Sequence, residues 1–276
     1  MTKKVDLHMH TYYSDGALSP EELLVKAQSV GLSVISITDH DTLDGCINAM
    51  SLAPKYGIEI ITGCEFSCND AEREFHVLGY NVDPDNKHLK FHLHNFRNAR
   101  LVRAKQIHKK LRNMGMMIDF DDILIKADQA PITRPHIAQI LLEKGYVETL
   151  RQAFDKFIGD SGPAFHPKAV FPVSQAIKLI NQANGVAVLA HPANFVDQPT
   201  LYKMIQSGLD GIEVIHPMHN QSQREFYRSI AAQYWLLETG GSDFHGNREQ
   251  DELNFGNFYI PYSIVESIKY HTGQLY

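Results

Sequence analysis

The chain has 276 residues, of which 43% are hydrophobic and 21% charged. This composition is typical of a soluble globular protein and leaves enough chain for one barrel-sized domain. The net charge of −6 excludes a generally basic surface that would coat nucleic acid, although it allows a local basic pocket for a phosphate. No apolar run approaches the roughly 18 residues of a membrane span, so we expect no membrane association.

Cysteine and histidine counts give the first functional indications. Three sparse cysteines, Cys46, Cys64 and Cys68, indicate reduced thiols and a cytoplasmic protein, and we expect the pair Cys64 and Cys68 to pack in the core. The N-terminal residues lack the apolar run of a signal peptide. Fifteen histidines are many for this length, and histidine is the commonest metal ligand. Nothing in the sequence indicates an obligatory protein partner.

The first third of the chain alternates between strand and helix patterns. Residues 5–10 alternate apolar and polar side chains, which predicts a strand with Asp6, His8 and His10 on one face. Ser19, Pro20 and Glu22 have the spacing of an N-cap with a capping box, and Gly31 stops that helix. We predict further strands at 34–38, 58–62 and 75–80, and a helix at 43–56. This alternation predicts parallel βαβ units in an α/β fold, with the functional residues just past the strand ends.

The middle of the chain has a different pattern. We predict four consecutive helices at 94–114, 121–127, 134–145 and 148–157, without an intervening strand. Strand patterns return at 185–190, 211–215 and 235–237. We therefore expect an interrupted barrel domain, with its first part at 1–85, a helical insertion at 86–160 and its second part at 161–276.

Five short motifs combine imidazoles with carboxylates. They are His8-Met9-His10 with Asp15, Asp39-His40, Glu65 with His76, Ala190-His191-Pro192, and Gly241-Ser242-Asp243-Phe244-His245-Gly246. Two histidines two residues apart on a strand point to one side, so both can reach one metal ion. Glu65 could bridge two ions. Mixed nitrogen and oxygen ligands suit zinc, manganese or iron better than magnesium or calcium alone.

This set of motifs resembles the PHP (polymerase and histidinol phosphatase) family. Nine positions match that family's ligand pattern in order, over almost the whole chain: His8, His10, Asp15, His40, Glu65, His76, His191, Asp243 and His245. The resemblance implies a distorted (β/α)7 barrel and a centre of three divalent metal ions (Mn, Zn or Fe). It further implies that the first ion is held by His8, His10, Glu65 and Asp243, the second by Glu65, His76 and His191, and the third by Asp15, His40 and His245.

Within the family, the long helical insertion and the run Thr133-Arg134-Pro135-His136 resemble one branch. That branch hydrolyses nucleoside 3′,5′-bisphosphates and trims short 5′-phosphorylated RNA. The resemblance implies that Arg134, His136 and Lys168 bind the substrate phosphate, where a guanidinium offers a planar fork and an ammonium a point charge. The alternative for these three residues is a structural role, either as a helix cap or as a charge exposed to solvent.

We therefore expect a metal-dependent phosphoesterase in which metal-activated hydroxide attacks phosphorus. Asp15, Glu65, His191, Asp243 and Arg134 are the expected catalytic residues, and no serine or cysteine triad is evident. Two alternatives remain: a small-molecule phosphatase, such as a histidinol-phosphate phosphatase, and a catalytically silent domain with a structural role. His216-Pro217 resembles His191-Pro192 after a strand, so His216 could support the ligands from behind, but we assign it no ligand role, and we expect His219 at the surface.

Overall fold

The computed structural model describes residues 3–69, 73–193 and 195–273. The strands are β1 (Lys4–Met9), β2 (Leu32–Ile37), β3 (Glu59–Ile60), β4 (Gly63–Asn69), β5 (Glu74–Tyr80), β6 (Val186–Leu189), β7 (Gly211–Ile215), β8 (Leu237–Gly240) and β9 (Ile260–Pro261). The α-helices are α1 (Pro20–Ser29), α2 (Asp44–Tyr56), α3 (Lys87–Asn113), α4 (Phe120–Ala127), α5 (Arg134–Glu143), α6 (Leu150–Ala153), α7 (Val173–Gln182), α8 (Gln198–Gln206), α9 (Gln221–Tyr234), α10 (Asp251–Asn254) and α11 (Ser263–His271). A π-helical turn, Phe154–Ile158, follows α6.

Helix α1 begins and ends where the sequence predicts. The Glu22 backbone N–H donates to Ser19 Oγ at 3.2 Å, and the Ser19 N–H donates to Glu22 Oε2 at 2.8 Å. These two bonds form the predicted capping box, which satisfies backbone donors that the helix leaves free. Gly31 follows the helix with a φ of +76°, a conformation that costs glycine little.

The strands of the described chain form two open sheets rather than one closed barrel. The first has the order β3-β2-β1-β9, and the second has the order β4-β5-β6-β7-β8. Two isolated bridges, Met9 to Phe244 and His40 to Glu65, connect the ends of the sheets. The prediction of an α/β fold is confirmed, whereas these residues do not show a closed (β/α)7 barrel.

The expectation of parallel βαβ units is wrong for the first three strands of the second sheet, because β5 runs antiparallel to both β4 and β6. Strands β4 and β5 form an antiparallel hairpin in which Ser67 pairs with His76 and Glu65 pairs with Leu78. Both Glu65 and His76 therefore lie inside strands, not past their ends. Because Glu65 and Ser67 are two residues apart, the Glu65 side chain points to the same face as that of His76.

The last predicted strand also begins later than expected. Trp235 adopts a φ of +57° and ends helix α9, so β8 begins at Leu237. A left-handed residue cannot continue either a helix or a strand, which places the boundary at this position.

The chain divides into two compact units, residues 1–91 with 170–276 and residues 92–169. In the first unit, Val5 and Leu7 of β1 pack in one cluster with Leu78 of β5 and Val188 of β6, so both sheets share a core. The second unit is helical and has its own core. No helix in the described parts of the chain has the length and apolar character to cross a bilayer.

Candidate metal centre

All nine predicted ligand residues belong to the first unit, and the fold brings them together. They come from β1 and the turn after it, the loop after β2, the β4–β5 hairpin, the end of β6 and the segment after β8. Ligand atoms within 4.8 Å of one another occur in the sets His8/His10/Glu65/Asp243, His10/Asp15/His40/His245 and His40/Glu65/His76. Parallel strands that end side by side place residues of distant sequence around one point, and Glu65 and His76 reach this point from inside the antiparallel β4–β5 hairpin.

Glu65 lies at the centre of this cluster and is almost completely buried. Its Oε2 atom lies 3.3 Å from His8 Nε2, 3.2 Å from His10 Nε2 and 3.2 Å from His40 Nδ1. One carboxylate oxygen is thus surrounded by three imidazole nitrogens.

The other oxygen of Glu65 faces a second pair of imidazoles. Glu65 Oε1 lies 2.8 Å from His76 Nδ1 and 2.9 Å from His191 Nε2, and these two rings approach each other at 3.3 Å. Because the two oxygens face different imidazole groups, this carboxylate has the geometry to serve two neighbouring cations.

Asp243 approaches the same centre from the segment after β8. Its Oδ1 atom lies 3.2 Å from both His8 Nε2 and His10 Nε2. The close approach of this segment requires Gly241, because a Cβ atom there would lie 2.5 Å from the backbone nitrogen of His8 and from Asp6 Oδ1. The glycine of the Gly-Ser-Asp motif therefore lets the backbone pass against β1.

An outer group of side chains lies on the more exposed side of the cluster. Asp15 Oδ1 lies 3.4 Å from His245 Nε2 and 3.7 Å from His10 Nδ1, and Asp15 Oδ2 lies 3.8 Å from His40 Nε2. These separations leave room between the ring nitrogens and the carboxylate for a shared cation.

Glu213 is a site residue that the sequence reasoning missed. From the middle of β7, its Oε1 accepts a hydrogen bond from His8 Nδ1 at 2.9 Å, and its Oε2 accepts one from the His191 backbone N–H at 2.8 Å. A carboxylate that accepts the Nδ1 proton of a histidine leaves the Nε2 lone pair free to bind a metal. The sequence signal that could have identified Glu213 is an acidic residue within an otherwise apolar strand.

His216 and His219 were also underestimated. His216 is buried, and its Nε2 lies 3.5 Å from Asp243 Oδ2, so it belongs to the cluster. The expectation that His219 lies at the surface is wrong, because it is 2% exposed and its Nε2 accepts the Ala193 N–H at 3.0 Å. The resemblance of His216-Pro217 to His191-Pro192 was the signal for the first of these.

Arg248 is a further residue that the sequence reasoning missed. Its guanidinium donates to Asp243 Oδ2 at 2.9 Å and to His245 Nε2 at 2.7 Å. The Asp251 carboxylate fixes the loop that carries it, since Asp251 Oδ2 accepts the Arg248 N–H at 3.0 Å and the His245 N–H at 3.2 Å. A cationic side chain therefore contacts two of the predicted ligands.

Two further aspartates support the cluster from behind. Asp6 Oδ1 accepts the backbone N–H groups of His8 at 3.1 Å and Ser242 at 3.0 Å, and burial raises the pKa of Asp6 to about 7. Asp39 accepts from Thr11 Oγ1 and from Ser14 Oγ, each at 2.6 Å. These bonds hold the backbone around the histidines in place.

The charges in the cluster depend strongly on burial and on each other. Burial lowers the pKa of His40 to about 3. Burial opposes ionisation of Glu65, but the imidazoles of His40, His76 and His8 outweigh it and hold the Glu65 pKa well below its ordinary value. Burial opposes ionisation of Asp243 as well, and His8 is the leading group that holds its pKa low. The site thus presents ionised carboxylates beside imidazoles.

The donor set fits divalent cations on an independent observation. Among the described residues, the buried ring nitrogens His8 Nε2, His10 Nε2, His40 Nδ1 and His216 Nε2 have no hydrogen-bond partner. Buried polar atoms without partners are costly, and several that face the same carboxylates indicate a ligand that uses their lone pairs. Imidazole and carboxylate donors in this combination suit transition-metal ions.

The three predicted phosphate-binding residues belong to the second unit. Arg134 begins α5 and donates to Asp160 Oδ1 at 2.6 Å. His136 Nδ1 accepts the Thr133 N–H at 3.2 Å, so this imidazole caps α5. Lys168 is partly buried near the end of the unit.

Known proteins are similar to this chain over most of its length. A family model described as the PHP domain matches residues 6–183. A 5′-3′ exoribonuclease from Haemophilus influenzae is 35% identical over 250 residues, covering 89% of this chain and 91% of its own length. A 3′,5′-nucleoside bisphosphate phosphatase from Chromobacterium violaceum is 31% identical and covers 89% of this chain and 88% of its own. A crystal structure of a protein from Bifidobacterium adolescentis, named for a metal-dependent phosphoesterase activity, has a TM-score of 0.86 and 32% identity, covering 97% of this chain and 96% of its own.

Proposed function

The chain belongs to the PHP domain family and is a metal-dependent phosphoric-ester hydrolase, and from this premise we propose its substrates, its ions and the roles of its residues. The substrates are nucleoside 3′,5′-bisphosphates, short 5′-phosphorylated RNA, or both. The observation that carries the proposal is the buried cluster in which Glu65 presents its two oxygens to different groups of imidazoles. Two relatives that match nearly the full chain are named for these activities.

Three divalent ions, manganese, zinc or iron, are the proposed cofactors. His8, His10, Glu65 and Asp243 would hold the first, and Glu65, His76 and His191 the second. Asp15, His40 and His245 would hold the third. The sets of neighbouring ligand atoms and the unpartnered ring nitrogens support the first and third ions, and the approach of His76 and His191 to Glu65 Oε1 supports the second.

When bound, the ions would supply water with a pKa near 7 and positive charge that neutralises the negative phosphoryl oxygens. The protein contributes the positions of these groups. Glu213 fixes the His8 tautomer through the Nδ1 proton, so that Nε2 faces Glu65 and Asp243. Glu65, Asp243 and Asp15 remain ionised at neutral pH because the imidazoles around them lower their pKa values.

The proposed phosphate-binding residues are Arg134, His136 and Lys168. They would bind either the phosphate group that is hydrolysed or the second phosphate group of the substrate. The support is chemical, since a guanidinium pairs with two phosphate oxygens at once. In the structure the Arg134 guanidinium is paired with the carboxylate of Asp160, which is 80% exposed. Because the Asp160 side of this pair is open to solvent, its carboxylate is screened by water, and a phosphate can compete for the guanidinium.

The architecture and cellular location complete the proposal. The two bridges that connect the sheets support a distorted seven-stranded barrel as the underlying architecture. Three free buried thiols support a reducing, cytoplasmic environment.

A substrate panel tests the function. Purified protein is loaded separately with Mn²⁺, Zn²⁺ or Fe²⁺ and incubated with adenosine 3′,5′-bisphosphate, histidinol phosphate and a 5′-phosphorylated short RNA. We expect release of phosphate from the bisphosphate, release of mononucleotide from the RNA, or both. Asp243→Asn should abolish turnover and reduce bound metal, whereas Glu252→Gln, which changes a surface ion pair with Lys26, serves as a control. Hydrolysis of histidinol phosphate alone would contradict the proposed substrates, and inactivity on all three with metal bound would favour the silent domain.

The phosphate-binding role of Arg134 makes a separate prediction. Arg134→Ala should raise KM for the bisphosphate and lower turnover, because a charge-assisted contact worth about 1.5–3 kcal/mol is lost. Bound metal, measured by elemental analysis, should stay unchanged. Arg151→Ala is the matched control, since Arg151 is an exposed arginine of the same unit paired with Asp155. Loss of metal in the Arg134 variant would contradict the assignment.

A further inference from the structure

A cavity of about 270 Å³ adjoins the metal centre within the first unit. His76 and His191 form one wall, and Phe75, Leu189, Phe195 and Met218 are among the other lining residues. We call this cavity the apolar recess. A phosphate ester held at His76 and His191 therefore has a mostly apolar space beside it for the group attached to its phosphate.

Two apolar side chains of the recess are open to solvent. Phe195 is 63% exposed and Met218 is 50% exposed, whereas Phe75 is only 5% exposed. Exposed large apolar groups around a recess that adjoins a polar site indicate ligand contact. An aromatic ring and a polarizable thioether are well suited to the face of a flat ring.

The wall that carries Phe195 is held in an unfavourable backbone conformation. His191 has a φ of +27° and Ala193 a φ of +40°, values that L-residues rarely adopt. Such strain persists only where the surroundings enforce it, and it concentrates at ligand sites.

Three hydrogen bonds enforce this conformation. Glu213 Oε2 accepts the His191 N–H at 2.8 Å, His219 Nε2 accepts the Ala193 N–H at 3.0 Å, and the Tyr227 hydroxyl donates to the Ala193 carbonyl at 2.6 Å. The buried residues beneath the loop thus shape the wall of the recess as well as the metal centre.

We propose that the apolar recess binds the nucleobase of the substrate, which stacks on Phe195. The recess is slightly smaller than the roughly 300–1,000 Å³ of pockets for drug-sized ligands, so it suits one ring system rather than several nucleotides. Stacking accepts any base, because every base has an aromatic face. This inference rests on the proposed function and specifies which part of the nucleotide the first unit recognises.

Paired substrates test the proposal. We compare kcat/KM for adenosine 3′,5′-bisphosphate with that for an abasic ribose 3,5-bisphosphate in the wild-type protein and in Phe195→Ala. The variant should lose about 5- to 150-fold on the nucleotide, mostly through KM, and little on the abasic substrate. Phe195→Trp should restore the preference for the nucleotide. Trp235→Ala, which removes an aromatic side chain that is 94% exposed and lies outside the recess lining, should change neither value.

A binding measurement separates failure of this inference from failure of the proposed function. 2-Aminopurine riboside 5′-phosphate loses fluorescence when its base stacks, so the wild-type protein should quench it and Phe195→Ala should not. Quenching without turnover of any nucleotide would overturn the proposed function and support the recess as a base site. Equal loss of kcat/KM on both substrates, or equal quenching by wild-type protein and Phe195→Ala, would overturn the recess as a base site.

Discussion

The site is organised by a few side chains that each act on several others. Glu65 contacts imidazoles through both of its oxygens. Glu213, one layer behind, bonds to the His8 ring and to the backbone of His191. A single carboxylate can therefore set the orientation of two ligands from different strands. Substitutions one layer behind the ligands should consequently affect metal binding.

Glu213→Gln tests this dependence. An amide can still accept from His8 Nδ1, but it carries no charge to strengthen that bond, and its NH₂ group opposes the His191 N–H. We expect metal affinity to fall by about 10- to 100-fold, as is typical when the partner of a ligating histidine is changed. The measurement is a metal titration by calorimetry. Glu238→Gln on β8 is the matched control, since that carboxylate pairs with the half-exposed Arg228; an equal loss there would contradict a specific role for Glu213.

Arg248 should have the opposite effect on metal binding. Its guanidinium donates to Asp243 Oδ2 and His245 Nε2 and so occupies acceptors that a cation would use. Arg248→Ala should tighten metal binding by about five-fold, which corresponds to about 1 kcal/mol for a half-exposed contact.

The same calorimetric titration checks this prediction. Arg228→Ala provides the control, because Arg228 is equally exposed at 49% and pairs with a carboxylate outside the cluster. Unchanged or weaker metal affinity in Arg248→Ala would contradict competition and would indicate that Arg248 supports the ligands.

Secondary-structure elements that are determined by residues close in sequence begin and end where the sequence predicts. Helix α1 has its N-cap, first-turn proline and stop glycine within a short stretch, and each acts on its own turn. These features make α1 a suitable place to test how strongly a local signal contributes to stability.

Ser19→Ala should reduce the free energy of unfolding by about 0.5–2 kcal/mol, because the Glu22 N–H loses its acceptor at the start of α1. Urea unfolding of metal-free protein, monitored by circular dichroism, measures the change. Ser29→Ala removes a hydroxyl at the other end of the same helix, where it donates to the Lys26 carbonyl. Equal losses in both variants would argue against a capping contribution.

The difference between local signals and contacts distant in sequence explains which parts of the fold were not predicted. The direction of β4 and β5 depends on pairing between residues such as Glu65 and Leu78, and periodicity alone does not encode strand direction. The nine candidate ligands were found because their residue types are unusual and clustered in motifs. Glu213, His219 and Arg248 were missed because each acts through a partner that is distant in sequence or through the turn of a loop.

On the scale of the whole molecule, the candidate metal centre and the helical core are in different units. The candidate ligands lie in residues 1–91 and 170–276, whereas the helical cluster around Ile107, Leu111 and Leu141 lies in residues 92–169. A ligand stabilises only those states that retain its site. Metal binding should therefore act unequally on the two units.

Hydrogen exchange of the metal-free and metal-loaded protein measures this difference. At a free metal concentration of 100 times Kd, openings that disrupt the cluster should cost about 2.7 kcal/mol more, so amides of β1, β4 and β5 should exchange about 100-fold more slowly. Amides of α4 and α5 should change much less, because partial opening of their core leaves Glu65 and its imidazoles in place. Asp243→Asn should abolish the gain in the strands, since it removes a negative charge from the ligand set. An equal gain in both units would show that they open together, and the metal would then stabilise the chain as a single cooperative structure.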